Sequence, residues 1–192
     1  RLGAYQEALA NLERARKICE RIGHHADLAS ILTGLGNVEL LLGDYASAIR
    51  RQDRAAEILR ALGQRRRRAA TLGNLGLVCL RLGETERALA LQEEALAAAR
   101  KLGLRRTVLL NRWGIALARI ALDDPEAARE QVRLAAEEID ASVAGLDDVA
   151  GPDAREVWAG LFDVGVLAAV QLEDVEQAFQ FMESGRARSL LD

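Results

Sequence analysis

Along most of the chain, apolar residues recur at intervals of three and four, the spacing of a helix that buries one face. In residues 28–42 the series is Leu28, Ile31, Leu32, Leu35, Val38 and Leu42. Gly43 follows where a left-handed residue ends a helix, and Asp44 stands where its side chain can cap the next one. The next helix runs from about Tyr45 to Leu62 and stops at Gly63 by the same device. Carried along the chain, this reading predicts helices over 4–22, 26–42, 45–62, 66–82, 85–102, 106–122, 125–141, 154–172 and 175–191. The stretch 142–153 is left as the single long loop.

The pattern also repeats at longer range. Leu2-Gly3, Leu42-Gly43 and Leu82-Gly83 lie 40 residues apart, and Leu122-Asp123 continues the series. Ala8, Ala48, Ala88 and Ala128 form a second ladder, and Ala15, Ala55, Ala95 and Ala135 a third. Residues 23–62 and 63–102 are identical at 14 of 40 positions without a gap. A period of this length predicts an array of helix-turn-helix units, each burying its apolar face against its neighbours. The expected fold is therefore all-α, a right-handed α-solenoid of about four and a half repeats (1–23, 24–63, 64–103, 104–141 and 154–192) forming one domain. Gly36 and Gly76, each after a leucine inside a helix, read as points of close helix approach where a Cβ would push the pair apart.

Leu35-Gly36 with Ala48 and Ala55, and Leu75-Gly76 with Ala88 and Ala95, resemble the tetratricopeptide repeat. The resemblance covers nearly the whole chain, with departures. The period is 40 rather than 34, Glu39, Cys79 and Arg119 stand at the first-helix aromatic position, and Gln52 and Gln92 stand at the second. Longer repeats of this kind are similar to those of kinesin light chains and of many bacterial signalling proteins. HEAT-like repeats lack the paired Leu-Gly and alanine ladders. The segment from Ala178 to Asp192, with Gly185-Arg186-Ala187-Arg188 and Leu190-Leu191-Asp192, resembles the last repeat before a CHAT domain, a caspase-like protease module. That likeness implies a bacterial multidomain signalling protein in which Arg186 and Arg188 lie at the junction. Residue 1 reads as the end of a first helix, so the chain is expected to be part of a longer array.

Composition narrows the chemistry. No apolar run reaches the ~18 residues that span a bilayer, so no membrane role is expected. Two cysteines are too few for a disulfide framework, which points to a reducing, cytoplasmic setting. Cys19 aligns with Leu59, Ala99 and Ile139 and reads as core; Cys79 lies near Gly76 inside a helix. His24 and His25 sit in a turn, and neither cysteine nor histidine spacing makes a metal site. No phosphate-binding glycine loop is present, so neither cofactor nor enzymatic activity is expected.

What remains is binding. Repeat arrays bind along their first helices, and the family register places Thr33, Asn37, Gly73, Leu77, Trp113 and Leu117 on the inner face, with Leu40, Arg81 and Leu110 nearby. This groove reads as apolar and suited to a helix or an apolar peptide. Trp113 could be an anchor for a partner or a filler between repeats. Arg65, Arg66, Arg67 and Arg68 close an arginine-rich stretch, 50–68, which offers a nucleic-acid-sensing module as the alternative function. Against that, no aromatic residue interleaves to stack bases, and arginine outnumbers lysine 24 to 2 throughout. A protein or peptide partner, or an adjacent domain of the same chain, is the favoured reading, and the sequence does not specify an oligomeric state. Charge is uneven: residues 1–122 carry +9 and residues 123–192 carry −12. The acidic loop and the arginine face are therefore expected to make salt-sensitive contacts with another domain or a second copy.

Overall fold

The computed structural model describes residues 2–143 and 152–189, and every described residue outside short turns is helical. In chain order the helices are α1 (Leu2–Ile22), α2 (His25–Leu42), α3 (Tyr45–Ala61), α4 (Arg65–Leu82), α5 (Thr85–Lys101), α6 (Arg105–Ala121), α7 (Pro125–Val143), α8 (Pro152–Gln171) and α9 (Val175–Ser189). The chain comprises two compact units, 1–98 and 99–192. In the first, α1 packs on α2, α2 on α3, and α3 on α4; in the second, α6 packs on α7, α7 on α8, and α8 on α9.

The turns are built as the glycine pattern anticipates. Gly43 and Gly83 close α2 and α4 at φ 81° and 79°, and their amides donate back to the final helical carbonyls. Asp123 and Glu173 adopt φ 59° and 57° in the corresponding turns, a left-handed conformation that costs a residue with a Cβ roughly 1–2 kcal/mol. Asp44, Asp124 and Asp174 follow these turns. Their Oδ1 atoms accept the amides of Ser47, Ala127 and Gln177 at 3.1, 3.1 and 3.0 Å, capping α3, α7 and α9.

Small residues set the packing distance. Ala48, Ala55, Ala88, Ala95, Ala128 and Ala135 are all fully buried. The second unit adds a larger core, in which Val132, Ile139, Leu161, Phe162 and Phe181 pack together with Leu109 and Val164. The helix ends fall within two residues of the sequence reading. α7 extends to Val143 and α8 begins at Pro152, so the predicted loop 142–153 is helical at both ends. Pro152 opens α8 because a proline at the first helical position lacks only an amide that would have no partner there. The rest of that loop, 144–151, lies outside the described residues, as do residues 190–192 of the predicted last helix.

Candidate functional site

In the first unit, α2 and α4 carry a line of polar groups. The Thr33 hydroxyl donates to the Ala29 carbonyl at 3.0 Å and lies 3.3 Å from the Thr71 hydroxyl, which is left as the donor between the two. Asn37 Oδ1 accepts twice, from Gln52 Nε2 at 2.8 Å and from Asn74 Nδ2 at 3.1 Å. Both acceptor directions of that oxygen are therefore committed to the protein, while Asn37 itself is exposed. Its Nδ2 group, with two N–H bonds, has no hydrogen-bond partner among the described residues.

Gln52 and Gln92 hold this line in place. Both are fully buried on the second helices α3 and α5. Gln52 Nε2 also reaches the Thr33 carbonyl at 3.3 Å, and Gln92 Nε2 donates to the Gly73 carbonyl at 3.0 Å. Each crosses a glycine: a Cβ on Gly36 would lie 2.8 Å from Gln52 Nε2, and a Cβ on Gly76 would lie 2.8 Å from Gln92 Nε2. The amide thus replaces the expected aromatic and supplies hydrogen bonds that an aromatic ring could not.

The groove predicted to be apolar is consequently polar around Thr33 and Asn37, while Gly73 and Leu77 are half-buried and Arg81 is exposed on α4. Thr71 and Asn74 fall outside the expected groove set because a register of 40 residues does not set them beside Thr33 and Asn37. The observed partners are offset by 38 residues (Thr33 to Thr71) and 37 residues (Asn37 to Asn74). First helices that cross at an angle bring into contact residues slightly short of one period, and the period alone does not reveal that angle. The Gly-then-polar steps Gly36-Asn37 and Gly73-Asn74 were the available signal.

In the second unit, Trp113 packs against the hydrophobic core. It is half-buried against the core, and a Cβ on Gly160 of α8 would come within 3.1 Å of its ring. Leu117 packs on the same core, and Leu110 is half-buried on α6. Arg112 was not singled out by the sequence reading. It is fully buried where the equivalent residues are Leu32 and Leu72. Its guanidinium donates to Glu138 Oε1 at 2.9 and 3.2 Å and to Gln131 Oε1 at 2.8 Å.

The arginine run does not form one free face. Arg65 and Arg66 are exposed, whereas Arg67 donates to the Ala26 carbonyl at 3.0 Å and to Gln64 Oε1 at 2.7 Å. Arg68 pairs with Glu94 at 2.7 Å. Arg186 is exposed and lies 3.4 Å from Glu183, while the Arg188 side chain lies outside the described residues.

One further charged cluster joins α1, α2 and α3. Arg51 contacts Glu13 and, at 3.3 Å, the buried Glu39. Burial pushes the Glu39 carboxyl above the usual carboxylate range, opposed by the nearby Arg51 charge. Burial likewise pushes the Cys79 thiol up to about 11, so it is protonated at neutral pH and a poor nucleophile. Among the described residues no group of three or more His, Cys, Asp or Glu side chains could hold a metal ion, and no helix is long and apolar enough to cross a membrane.

Consecutive antiparallel helices, joined by left-handed turns and closed by small-residue crossings, define a helical-hairpin repeat protein. The tetratricopeptide repeat family matches residues 1–61 and 27–101, and the chain belongs to that family. No curated protein sequence matches it. Among solved structures, it is similar to the nearly identical TPR-like repeats of a Podosopora anserina protein described as a kinesin light chain. That match has 19% identity and a TM-score of 0.72, and covers 96% of this chain and 86% of that one. It is also similar to the apo form of RapI (15% identity, TM-score 0.76, 100% of this chain and 51% of that one). A Rap protein complexed with Competence and Sporulation Factor matches at 16% identity and a TM-score of 0.69, over 94% of this chain and 53% of that one. The chain thus spans about half the length of these Rap proteins. At such identities the likeness concerns the fold alone.

Proposed function

We propose that the chain is a non-catalytic protein-interaction module that binds an extended peptide segment along α2 and α4. The observation that carries this reading is the Asn37 amide. Its oxygen is held by Gln52 and Asn74, so its exposed N–H groups are fixed in direction and can donate to a peptide carbonyl. Fixing a donor before the ligand arrives removes much of the ordering cost of binding. Thr33 lies one turn before the donor on α2, and Gly73, Leu77 and Arg81 lie on α4. The TPR-like fold is typical of protein-protein interaction scaffolds, and a Rap protein of this fold is complexed with Competence and Sporulation Factor, which supports a bound partner here.

A display library of random linear peptides, followed by calorimetry on the selected binders, tests the proposal. Asn37→Ala and Asn74→Ala should each weaken the selected peptides by about tenfold, the worth of a lost hydrogen bond of ~1.4 kcal/mol, with the helical circular dichroism unchanged. Failure to select any peptide, or binding indifferent to Asn37, would overturn it. Engagement of Arg67 by the Ala26 carbonyl and of Arg68 by Glu94 disfavours the nucleic-acid alternative.

We further infer that the parent is a cytoplasmic bacterial signalling protein of the CHAT-linked type, supported by the 178–192 motif and by two buried free thiols. The gene is the test: a caspase-like Cys and His encoded beyond residue 192 would establish the link, and any other neighbouring domain would refute it.

A further inference from the structure

Within the first unit, α1 is fastened to the α2–α3 hairpin by a chain of charges of alternating sign. Glu39 on α2 lies 3.3 Å from Arg51 on α3, and Arg51 also contacts Glu13 on α1. Glu13 pairs with Arg16 at 2.7 Å, Arg16 with Glu20 at 2.6 Å, and Glu20 with Arg54 of α3 at 3.1 Å. α1 therefore meets α3 through Glu13 and Glu20, with Arg16 between them. Apolar contact at the same joint comes from Cys19, which joins Leu28, Leu32 and Ala55, and from Leu12, which a Cβ on Gly34 would meet at 3.5 Å.

One period later the joint of α3, α4 and α5 is built differently. The positions of Glu13, Arg16, Glu20, Glu39, Arg51 and Arg54 hold Asp53, Ala56, Arg60, Cys79, Leu91 and Glu94. Ala56 packs with Leu72, Leu91 and Ala95, and Cys79 packs with Leu75, Ala88 and Leu91. The ion pairs left there, Arg87 with Asp53 and Arg68 with Glu94, are separate and largely exposed, the kind that contributes little. Stability does not explain the charged version. Glu39 is 5% exposed and its Oε2 has no partner among the described residues, and a buried ion pair is often no better than well-packed apolar groups. What the charges add is a response, because salt screens a network of ion pairs and leaves apolar contact in place.

We propose that the α1 joint is an electrostatic hinge: at raised ionic strength α1 swings away from the α2–α3 hairpin while α2 to α5 stay packed. The joint is internal to the first unit, so its ion pairs are the same whatever adjoins α1 elsewhere. Opening uncovers Leu28 and Leu32 on α2 and frees Cys19, whereas Cys79 stays within its apolar cluster.

Thiol labelling of the full chain reads both joints at once, since Cys19 and Cys79 are buried one in each. Iodoacetamide modification, followed by peptide mass spectrometry, is run at constant pH from about 0.02 M to about 1 M sodium chloride, over which the Debye length falls from about 20 Å to about 3 Å. Relative to free cysteine, Cys19 should label about tenfold faster at the high end, and Cys79 less than about twofold faster. Glu13→Gln with Glu20→Gln removes the carboxylates that α1 contributes. Cys19 should then label at the parent's high-salt rate already at low salt, with helical circular dichroism unchanged because both side chains reach solvent. Arg16→Ala with Glu39→Val and Arg51→Leu rebuilds the joint on the apolar plan, and Cys19 should stay slow at every salt concentration. Cys19 labelling indifferent to salt, Cys79 accelerating in step with it, or either variant keeping the parent's salt response would each overturn the proposal.

Discussion

Gly36 and Gln52 are one decision made by two residues. The helix tolerates the glycine, at roughly 1 kcal/mol relative to alanine, because the side chain of Gln52 comes within 2.8 Å of where a Cβ would be. In the α6–α7 pair the same positions hold Ala116 and Val132, both fully buried, so volume moves from one side of the crossing to the other. Gly36→Ala should therefore be destabilising by about 1–2 kcal/mol, overpacking outweighing the propensity gain. Adding Gln52→Val should recover part of the loss, with a coupling of about 1 kcal/mol in a urea-unfolding double-mutant cycle. Additive effects would show that the two do not share the space. Glu39 makes a pH prediction. Its carboxyl is raised in the folded state, so folding is favoured as pH falls through that raised value and disfavoured as pH rises through it. Glu39→Gln should be more stable than the parent at pH 7, because Arg51 keeps Glu13 as a partner. The advantage should shrink when unfolding is measured near pH 4, about where an ordinary glutamate titrates. An advantage that grew on acidification would contradict this.

At the scale of the helix pair, α6 and α7 are joined by a buried charge where α2 and α4 use leucine. Arg112 has 1% exposed surface and Glu138 has 35%, so the two partners of one ion pair have unequal surroundings. Removing the arginine leaves a carboxylate that water and Arg100 can still serve, whereas removing the glutamate strands a buried guanidinium. Arg112→Leu, the residue of the equivalent positions, should be neutral or stabilising by up to about 2 kcal/mol. Glu138→Ala should cost about 2–3 kcal/mol. Thermal unfolding of both variants checks the asymmetry; equal losses would mean that the pair contributes to stability as a symmetric bridge.

Over the whole chain, protection should follow neighbours. Ala8 and Ala15 on α1 are half-buried, while Ala48, Ala55, Ala88, Ala95, Ala128 and Ala135 are fully buried. Helix α9 likewise bears the exposed stripe from Val175 to Met182. In repeat proteins stability is close to a sum of unit and neighbour contributions, and the least-covered elements open first. Native-state hydrogen exchange should therefore show α1 and α9 exchanging well before α3 and α7. Uniform protection from α1 to α9 would indicate a single cooperative unit instead.

The helices, their order and most of their ends were legible in the chain itself, because local physics writes them. Three-and-four spacing, glycine at left-handed turns and aspartate at the caps act within a few residues and need no knowledge of what lies across the core. Even the close approach at Gly36 was readable, since an interior glycine has a cost that packing must offset. The other half of each contact was not readable. That Gln52 fills the Gly36 crossing, that Asn37 spends its oxygen on Gln52 and Asn74, that Trp113 fills a space beside Gly160, and that Arg112 is buried beside Glu138 all depend on how helices cross. A crossing angle is set by the combined shapes of two surfaces, so the groove's polar line emerged only once both surfaces were in place.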